Sequence, residues 1–129
     1  MENKRTGYKS NQYDFPTKHY CQTLDLKDDK ELIEEYVKRH SQTEHWKEIR
    51  EGIRSVGILE MEIFLQGTRL VMIVETPFNF EWDDAFQKLA GLPRQAEWEK
   101  YMSVFQQAEA GATSSEKWKL MDRIFNLYE

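Results

Sequence analysis

The segment 58–76 constrains the fold most, because it alternates apolar and polar residues on both sides of a turn signal. It reads ILEMEIFLQGTRLVMIVET. Its first half predicts a strand with four apolar residues on one face: Leu59, Met61, Ile63 and Leu65. Gly67 and Thr68 then predict a tight turn into a second strand that ends near Pro77. A hairpin of this kind needs other elements to cover its apolar face.

The segments around this hairpin supply those elements. The spacing of their apolar residues predicts, in chain order, a strand at 18–26, a helix at 28–41, a helix at 45–57, helices at 80–91 and 93–107, and a strand at 117–128. Asp28, three residues before Glu31, predicts a capping box for the first helix, and Gly57 predicts the end of the second. Segment 108–115, AEAGATSS, predicts a loop.

This order is a β-α-β-β-α-β pattern with broken helices, which predicts an α+β fold. The expected architecture is ferredoxin-like, with one four-stranded antiparallel sheet and helices on one face. The other face of the sheet carries partly apolar side chains and no helix remains to cover it. A second copy of the chain is the simplest cover, so we expect a homodimer.

Composition narrows the function classes. The 129 residues favour one domain at 17–129 behind a polar tail at 1–16 that we expect to be disordered. The net charge of −5 argues against a nucleic-acid partner. The mean hydropathy of −0.79 and the short VMIV run argue against a membrane span. A lone cysteine, Cys21, and an N-terminus without an apolar signal region predict a cytoplasmic protein.

Tyr36 and His40 stand four residues apart in the first predicted helix, so they share one face. Ile33 and Val37 belong to the same face, which should therefore point inward. One interpretation is a core tyrosine beside a histidine satisfied at the helix end. The other is an acid/base histidine, since an imidazole pKa near ~6.5 suits proton transfer at neutral pH. The residues alone leave both open.

Other reactive side chains give weaker signals. Trp98 and Tyr101 form an aromatic stripe that suits a core or a platform for sugar C–H faces. His40, Glu44 and His45 do not have the spacing of a metal site, so no metal or other cofactor is predicted. The EKWK run at 116–119 is typical of a solvated face.

Several short motifs, in order, resemble the L-rhamnose mutarotase family over residues 18–128. They are Tyr36-x-x-x-His40, Trp46-x-Glu48, the IFL strand at 63–65, Val74-Glu75, and Trp98 ahead of Lys100-Tyr101-Met102. The resemblance implies a small dimeric α+β barrel that interconverts sugar anomers without a cofactor. It also implies His40 as the acid/base group, Tyr36 as a catalytic and sugar-contacting residue, and Trp98 as a sugar-contacting residue. Glu75 is a candidate for a second acid/base group.

This chain departs from the family pattern at two pocket positions. Met61 replaces a tyrosine of the rhamnose-specific members, and Glu99 replaces the second tryptophan of a pair. We therefore count both among the expected substrate-binding residues, with L-rhamnose as the first candidate sugar and L-fucose as the second. Two rival functions stay open, namely a cofactor-free monooxygenase of the same barrel type and a non-catalytic sugar-binding module.

Overall fold

The computed structural model describes residues 4–107, 112 and 114–128. A short 3₁₀ helix at Lys4–Thr6 precedes the main elements. These follow in chain order: β1 (Thr17–Asp25), α1 (Lys30–Arg39), α2 (Lys47–Ser55), β2 (Glu60–Gln66), β3 (Arg69–Pro77), α3 (Trp82–Ala90), α4 (Gln95–Met102), α5 (Ser114–Lys117) and β4 (Lys119–Leu120). No helix among the described residues is long and apolar enough to cross a membrane.

The four strands form one antiparallel sheet in the order β2-β3-β1-β4. β1 runs along β3 from Thr17 opposite Pro77 to Asp25 opposite Arg69. Gly67 has a φ of +61°, a left-handed conformation that costs glycine little, so the turn between β2 and β3 is tight. The structure confirms the predicted hairpin and the α+β fold with an antiparallel sheet.

Strand alternation places the core on one face of the sheet. Leu24 of β1 and Val74 of β3 point toward the helices and are buried. The same core cluster contains one or more side chains from each of the four longer helices: Tyr36, Ile49, Ala85, Trp98 and Met102. The helices therefore pack on this face, which is the face that holds the candidate site.

The start of α1 corrects one prediction. Asp29, not Asp28, is the N-cap residue, and its carboxylate accepts a hydrogen bond from the backbone N–H of Leu32 at 3.1 Å. The buried face of α1 also contains fewer residues than predicted. Tyr36 is buried, but Val37 is 51% exposed, so the expectation that Val37 points inward is wrong.

The C-terminal segment corrects a second prediction. Only Lys119 and Leu120 form a strand, and they pair with Thr23 and Gln22 of β1. Residues 121–128 lie in no helix or strand, so the predicted strand at 117–128 is wrong over most of its length. The Met121 N–H still donates to the Cys21 carbonyl of β1 at 2.8 Å, but one such bond does not continue the ladder, and alternation alone does not make a strand. The predicted loop at 108–115 falls mostly outside the described residues.

The N-terminal segment contacts β2, the strand at one edge of the sheet. The ring of Tyr8 lies 5.7 Å from the ring of Phe64, and the side-chain amide of Asn11 donates to Glu60 at 2.9 Å. The division into a disordered tail at 1–16 and a domain at 17–129 stays a prediction.

Candidate functional site

A cavity of about 380 Å³ lies between the core face of the sheet and the helices. That volume is within the range of small-molecule sites. All five predicted site residues line it, although they come from three different parts of the chain: Tyr36, His40, Met61, Trp98 and Glu99. The fold thus brings the end of α1, the strand β2 and the helix α4 together around one space.

His40 owes its orientation to the end of α1. It is the C-cap residue, and its backbone N–H donates to Val37 O rather than closing a helical bond to Tyr36. The carbonyl of Tyr36 is thereby left without that partner, and the His40 ring takes its place with Nδ1 at 2.7 Å. Because a carbonyl only accepts, Nδ1 carries the proton and Nε2 keeps its lone pair.

The surroundings of His40 favour the neutral imidazole. Burial lowers its pKa from the ordinary value of 6.5, and the nearby Arg50 guanidinium lowers it further, while the bond to the Tyr36 carbonyl acts in the other direction. Arg50 also donates to the His40 carbonyl at 2.9 Å, which keeps its charge close. At neutral pH the ring is therefore unprotonated at Nε2 and can accept a proton.

Tyr36 is the partner of His40 in the cavity wall, with ring centroids 4.2 Å apart. Burial raises the pKa of Tyr36 to about 12, and a hydrogen bond from the Gln106 side chain opposes that rise. The phenol is thus protonated at neutral pH and can donate. The sequence did not predict Gln106 as a site residue, because no neighbouring residue indicates that its side chain is buried. Its Oε1 has no hydrogen-bond partner among the described residues.

Aromatic rings form a second wall. Trp98 lies edge to face with His40 at 5.3 Å and with Trp46 at 5.0 Å. Trp46 stacks on Tyr101, and the guanidinium of Arg94 sits 4.0 Å from its ring centroid. Trp46 lines the cavity, but the sequence indicated it only as the first residue of a helical apolar stripe and as part of the family signature, not as a site residue. Its place at the start of the α2 apolar stripe is the signal that could have identified it.

The C-terminal segment supplies a third wall. Lys117 and Trp118 line the cavity and are buried, so the interpretation of EKWK as a solvated face is wrong for both. The Lys117 ammonium donates to the Glu99 carbonyl at 3.0 Å and to Ser103 Oγ at 2.9 Å. Burial lowers its pKa, and the Glu99 charge opposes that effect. The neighbouring Trp118 is the sequence feature that could have indicated that part of this run is buried.

Glu75 does not reach the cavity. Its neighbours Val74 and Thr76 point to the core, so Glu75 lies on the other face of β3. There its carboxylate accepts from Thr17 Oγ1 at 3.1 Å. The suggestion that Glu75 is a second acid/base group for this site is therefore wrong. Among the described residues, no group of three His, Cys, Asp or Glu side chains is arranged to hold a metal ion.

Comparison with known proteins identifies the family. The family model for L-rhamnose mutarotase matches residues 19–127 of this sequence. The chain belongs to the L-rhamnose mutarotase family. The family members are isomerases that interconvert sugar anomers, and this protein is a sugar mutarotase.

Individual relatives agree with this assignment. The chain is 39% identical over 109 residues to an L-fucose mutarotase of Xanthomonas campestris pv. campestris, which covers 84% of this chain and 87% of the relative. It is 43% identical over 114 residues to a UPF0734 protein of Dictyostelium discoideum, covering 85% and 90%. The crystal structure of an L-rhamnose mutarotase from Formosa agariphila has the same fold, with a TM-score of 0.63 at 17% identity, over 85% of this chain and 98% of that one.

Proposed function

We propose that this mutarotase interconverts the α and β anomers of a 6-deoxy-L-hexose, with L-fucose as its first substrate and L-rhamnose as the alternative. The observation that carries the proposal is His40, held with an unprotonated Nε2 in a cavity walled by aromatic rings. The order of the two sugars follows from the relative at 39% identity, which is an L-fucose mutarotase. It reverses the order expected from sequence.

The reaction opens and recloses a hemiacetal. His40 Nε2 takes the proton of the anomeric hydroxyl while the bond from C1 to the ring oxygen breaks. The electron pair of that bond goes to the ring oxygen, which takes a proton from the Tyr36 hydroxyl. The aldehyde turns about its bond to C2 and recloses on its other face, and both protons return. No electrons are gained or lost, so the residues at hand suffice.

The two pKa directions support these roles. A neutral imidazole is the form that accepts a proton, and a protonated phenol is the form that donates one. The departing ring oxygen is an alkoxide and is more basic than a phenolate, so transfer from Tyr36 proceeds as the bond breaks. Gln106, which bonds to Tyr36, stabilises the charge that develops on the phenolic oxygen.

Trp98 and the two departures from the family pattern complete the proposed site. The Trp98 ring would stack on the C–H face of the pyranose. Met61 presents an unbranched apolar surface where rhamnose-specific members have a hydroxyl, and Glu99 supplies a carboxylate acceptor instead of a flat ring. Both changes alter which sugar hydroxyls find a partner.

We further propose that the protein is a cytoplasmic homodimer with a ferredoxin-like protomer. The strand order β2-β3-β1-β4 supports the protomer type. Val71 and Ile73 on the face away from the helices are only half-buried, and Ile124 is 95% exposed. Apolar side chains of this kind gain most from burial against a second copy.

Saturation-transfer NMR tests the proposal directly. Irradiating one anomeric proton of L-fucose should lower the signal of the other in proportion to enzyme concentration, and L-rhamnose should show the same effect at a lower rate. Exchange no faster than the spontaneous rate, with sugar still bound, would leave the non-catalytic module as the function. Oxygen uptake with a quinol would support the monooxygenase instead.

A further inference from the structure

Lys117 is a buried cation that the proposed reaction does not use. It is 4% exposed and lines the same cavity as His40 and Trp98. Removing an ammonium from water costs several kcal/mol unless its surroundings compensate. The burial of this charge in the wall of the site therefore needs a structural or functional explanation.

Capping of α4 does not explain Lys117. The Glu99 carbonyl, to which it donates, already accepts from the backbone N–H of Ser103 at 3.1 Å and from Ser103 Oγ at 2.9 Å. This carbonyl near the end of α4 is satisfied without the lysine. The ammonium is an additional donor at a point where the helix does not need one.

The Lys117 ammonium retains donor capacity beyond these contacts. It has three N–H donors, and the acceptors found for it among the described residues are the Glu99 carbonyl and Ser103 Oγ. These two bonds anchor the side chain to the end of α4. Because α4 also carries Trp98, the bonds fix the ammonium relative to the ring that would stack on the sugar.

We propose that Lys117 is a sugar-binding residue, whose ammonium donates a hydrogen bond to one hydroxyl oxygen of the bound 6-deoxyhexose. This inference rests on the proposed function. A site that bonds a particular hydroxyl discriminates strongly against a sugar without it. Lys117 thus contributes to sugar choice in addition to Met61, although the two residues lie far apart in the sequence.

The test compares the wild type with Lys117→Met on L-fucose and on its 2-deoxy, 3-deoxy and 4-deoxy analogues. A hydrogen bond from a charged group contributes about 10- to 100-fold, so kcat/KM for L-fucose should fall by that factor in Lys117→Met. One analogue should be exchanged equally by both proteins, because the lysine has no acceptor on it. The matched control is Lys119→Met, an exposed lysine two residues away that should change no rate.

A merely structural lysine predicts a different pattern. Lys117→Met would then slow L-fucose and all three analogues by one common factor, which would overturn the inference. If Lys117→Met does not fold, Lys117→Arg keeps the charge but moves the donors, and should change the ratio of L-fucose to L-rhamnose exchange. An unchanged ratio would again overturn it. A wild type that exchanges no sugar would instead refute the proposed function.

Discussion

The two faces of the sheet are built by the same alternation and differ in what covers them. On the helix side, Gln22 and Met72 point into the cavity and are buried. On the other side, Glu62 of β2 and Glu75 of β3 lie on neighbouring strands. One face therefore has polar groups enclosed among apolar ones, and the other has carboxylates at a partly open surface.

Coverage by helices is what makes the first face suitable for chemistry. Burial lowers the pKa of His40 and raises that of Tyr36, so that an acceptor and a donor of protons face one space. On the open face, burial and the charges of Glu60 and Glu75 raise the pKa of Glu62. We infer that the first face performs the reaction and the second mediates assembly.

Replacing His40 tests this division most severely. His40→Ala removes the proposed proton acceptor, so catalysed exchange should fall about 10²- to 10⁴-fold with the fold retained. Glu75→Gln is the matched control on the other face and should keep the wild-type rate. Saturation-transfer NMR measures both. If His40→Ala exchanges sugar normally, or Glu75→Gln does not, the assignment of chemistry to the covered face is wrong.

Two exposed apolar residues near the C-terminus, Ile124 and Phe125, test the proposed dimer. Ile124→Ser combined with Phe125→Ser removes two exposed apolar side chains, each contributing about 1.5–3 kcal/mol when buried. The proposed dimer should then dissociate at about 10²-fold higher concentration or more, as sedimentation velocity would show. Val37→Ser, at an exposed position on α1, is the control and should leave association unchanged. A monomeric wild type at micromolar concentration contradicts the dimer.

The pH dependence follows from His40. Its pKa lies below 6.5 in the folded protein, so kcat/KM should be flat from that value through neutral pH and fall about tenfold per pH unit below the folded pKa. The unfolded chain binds this proton first as the pH falls. The free energy of unfolding should therefore decrease from about pH 6.5 down to the folded pKa. Urea titrations at several pH values measure this, and His40→Gln should abolish that contribution. An acid limb centred above pH 6.5 would contradict the lowered pKa.

Tyr36→Phe should have a smaller effect. It keeps the ring but leaves the Gln106 amide without the hydroxyl to which it bonds, at a cost of about 1–3 kcal/mol in unfolding free energy. Exchange should fall less than in His40→Ala, because solvent can still supply a proton to the ring oxygen. Chemical denaturation and NMR exchange measure the two effects. A greater loss of exchange than in His40→Ala would make Tyr36 the principal group.

The sequence predicted the covered face well because local patterns determine it. The turn at Gly67, the alternation through Met61 and the four-residue spacing of Tyr36 and His40 are all short-range signals, and the structure has each as expected. Family resemblance then selected the functional interpretation of His40. The hydrogen bond to the Tyr36 carbonyl could not be predicted, because it depends on where α1 ends.

Three of the wrong predictions share a physical cause, since each depends on contacts between distant parts of the chain. Lys117 resembles a surface lysine until the end of α4 is placed against it. Residues 121–128 alternate like a strand, but among the described residues the backbone bond found to tie them to the sheet is the one from the Met121 N–H to the Cys21 carbonyl at 2.8 Å. Glu75 follows a buried valine directly, and only the sheet shows that it faces away from the site.

Met61→Tyr is the most subtle test, because it changes one side chain of the covered face toward the rhamnose-specific pattern. Met61 lines the cavity from β2, and a tyrosine there adds a hydroxyl that can bond a sugar oxygen. One such bond is worth about 0.5–1.5 kcal/mol, so the ratio of L-rhamnose to L-fucose exchange should rise about 2- to 10-fold. Leu65→Tyr, on the same face of β2 but exposed, is the control and should leave the ratio unchanged. Both sugars are measured in all three proteins by NMR exchange. If the ratio is the same in the wild type and Met61→Tyr, this position does not choose the sugar, and the choice would lie with Glu99 and Lys117.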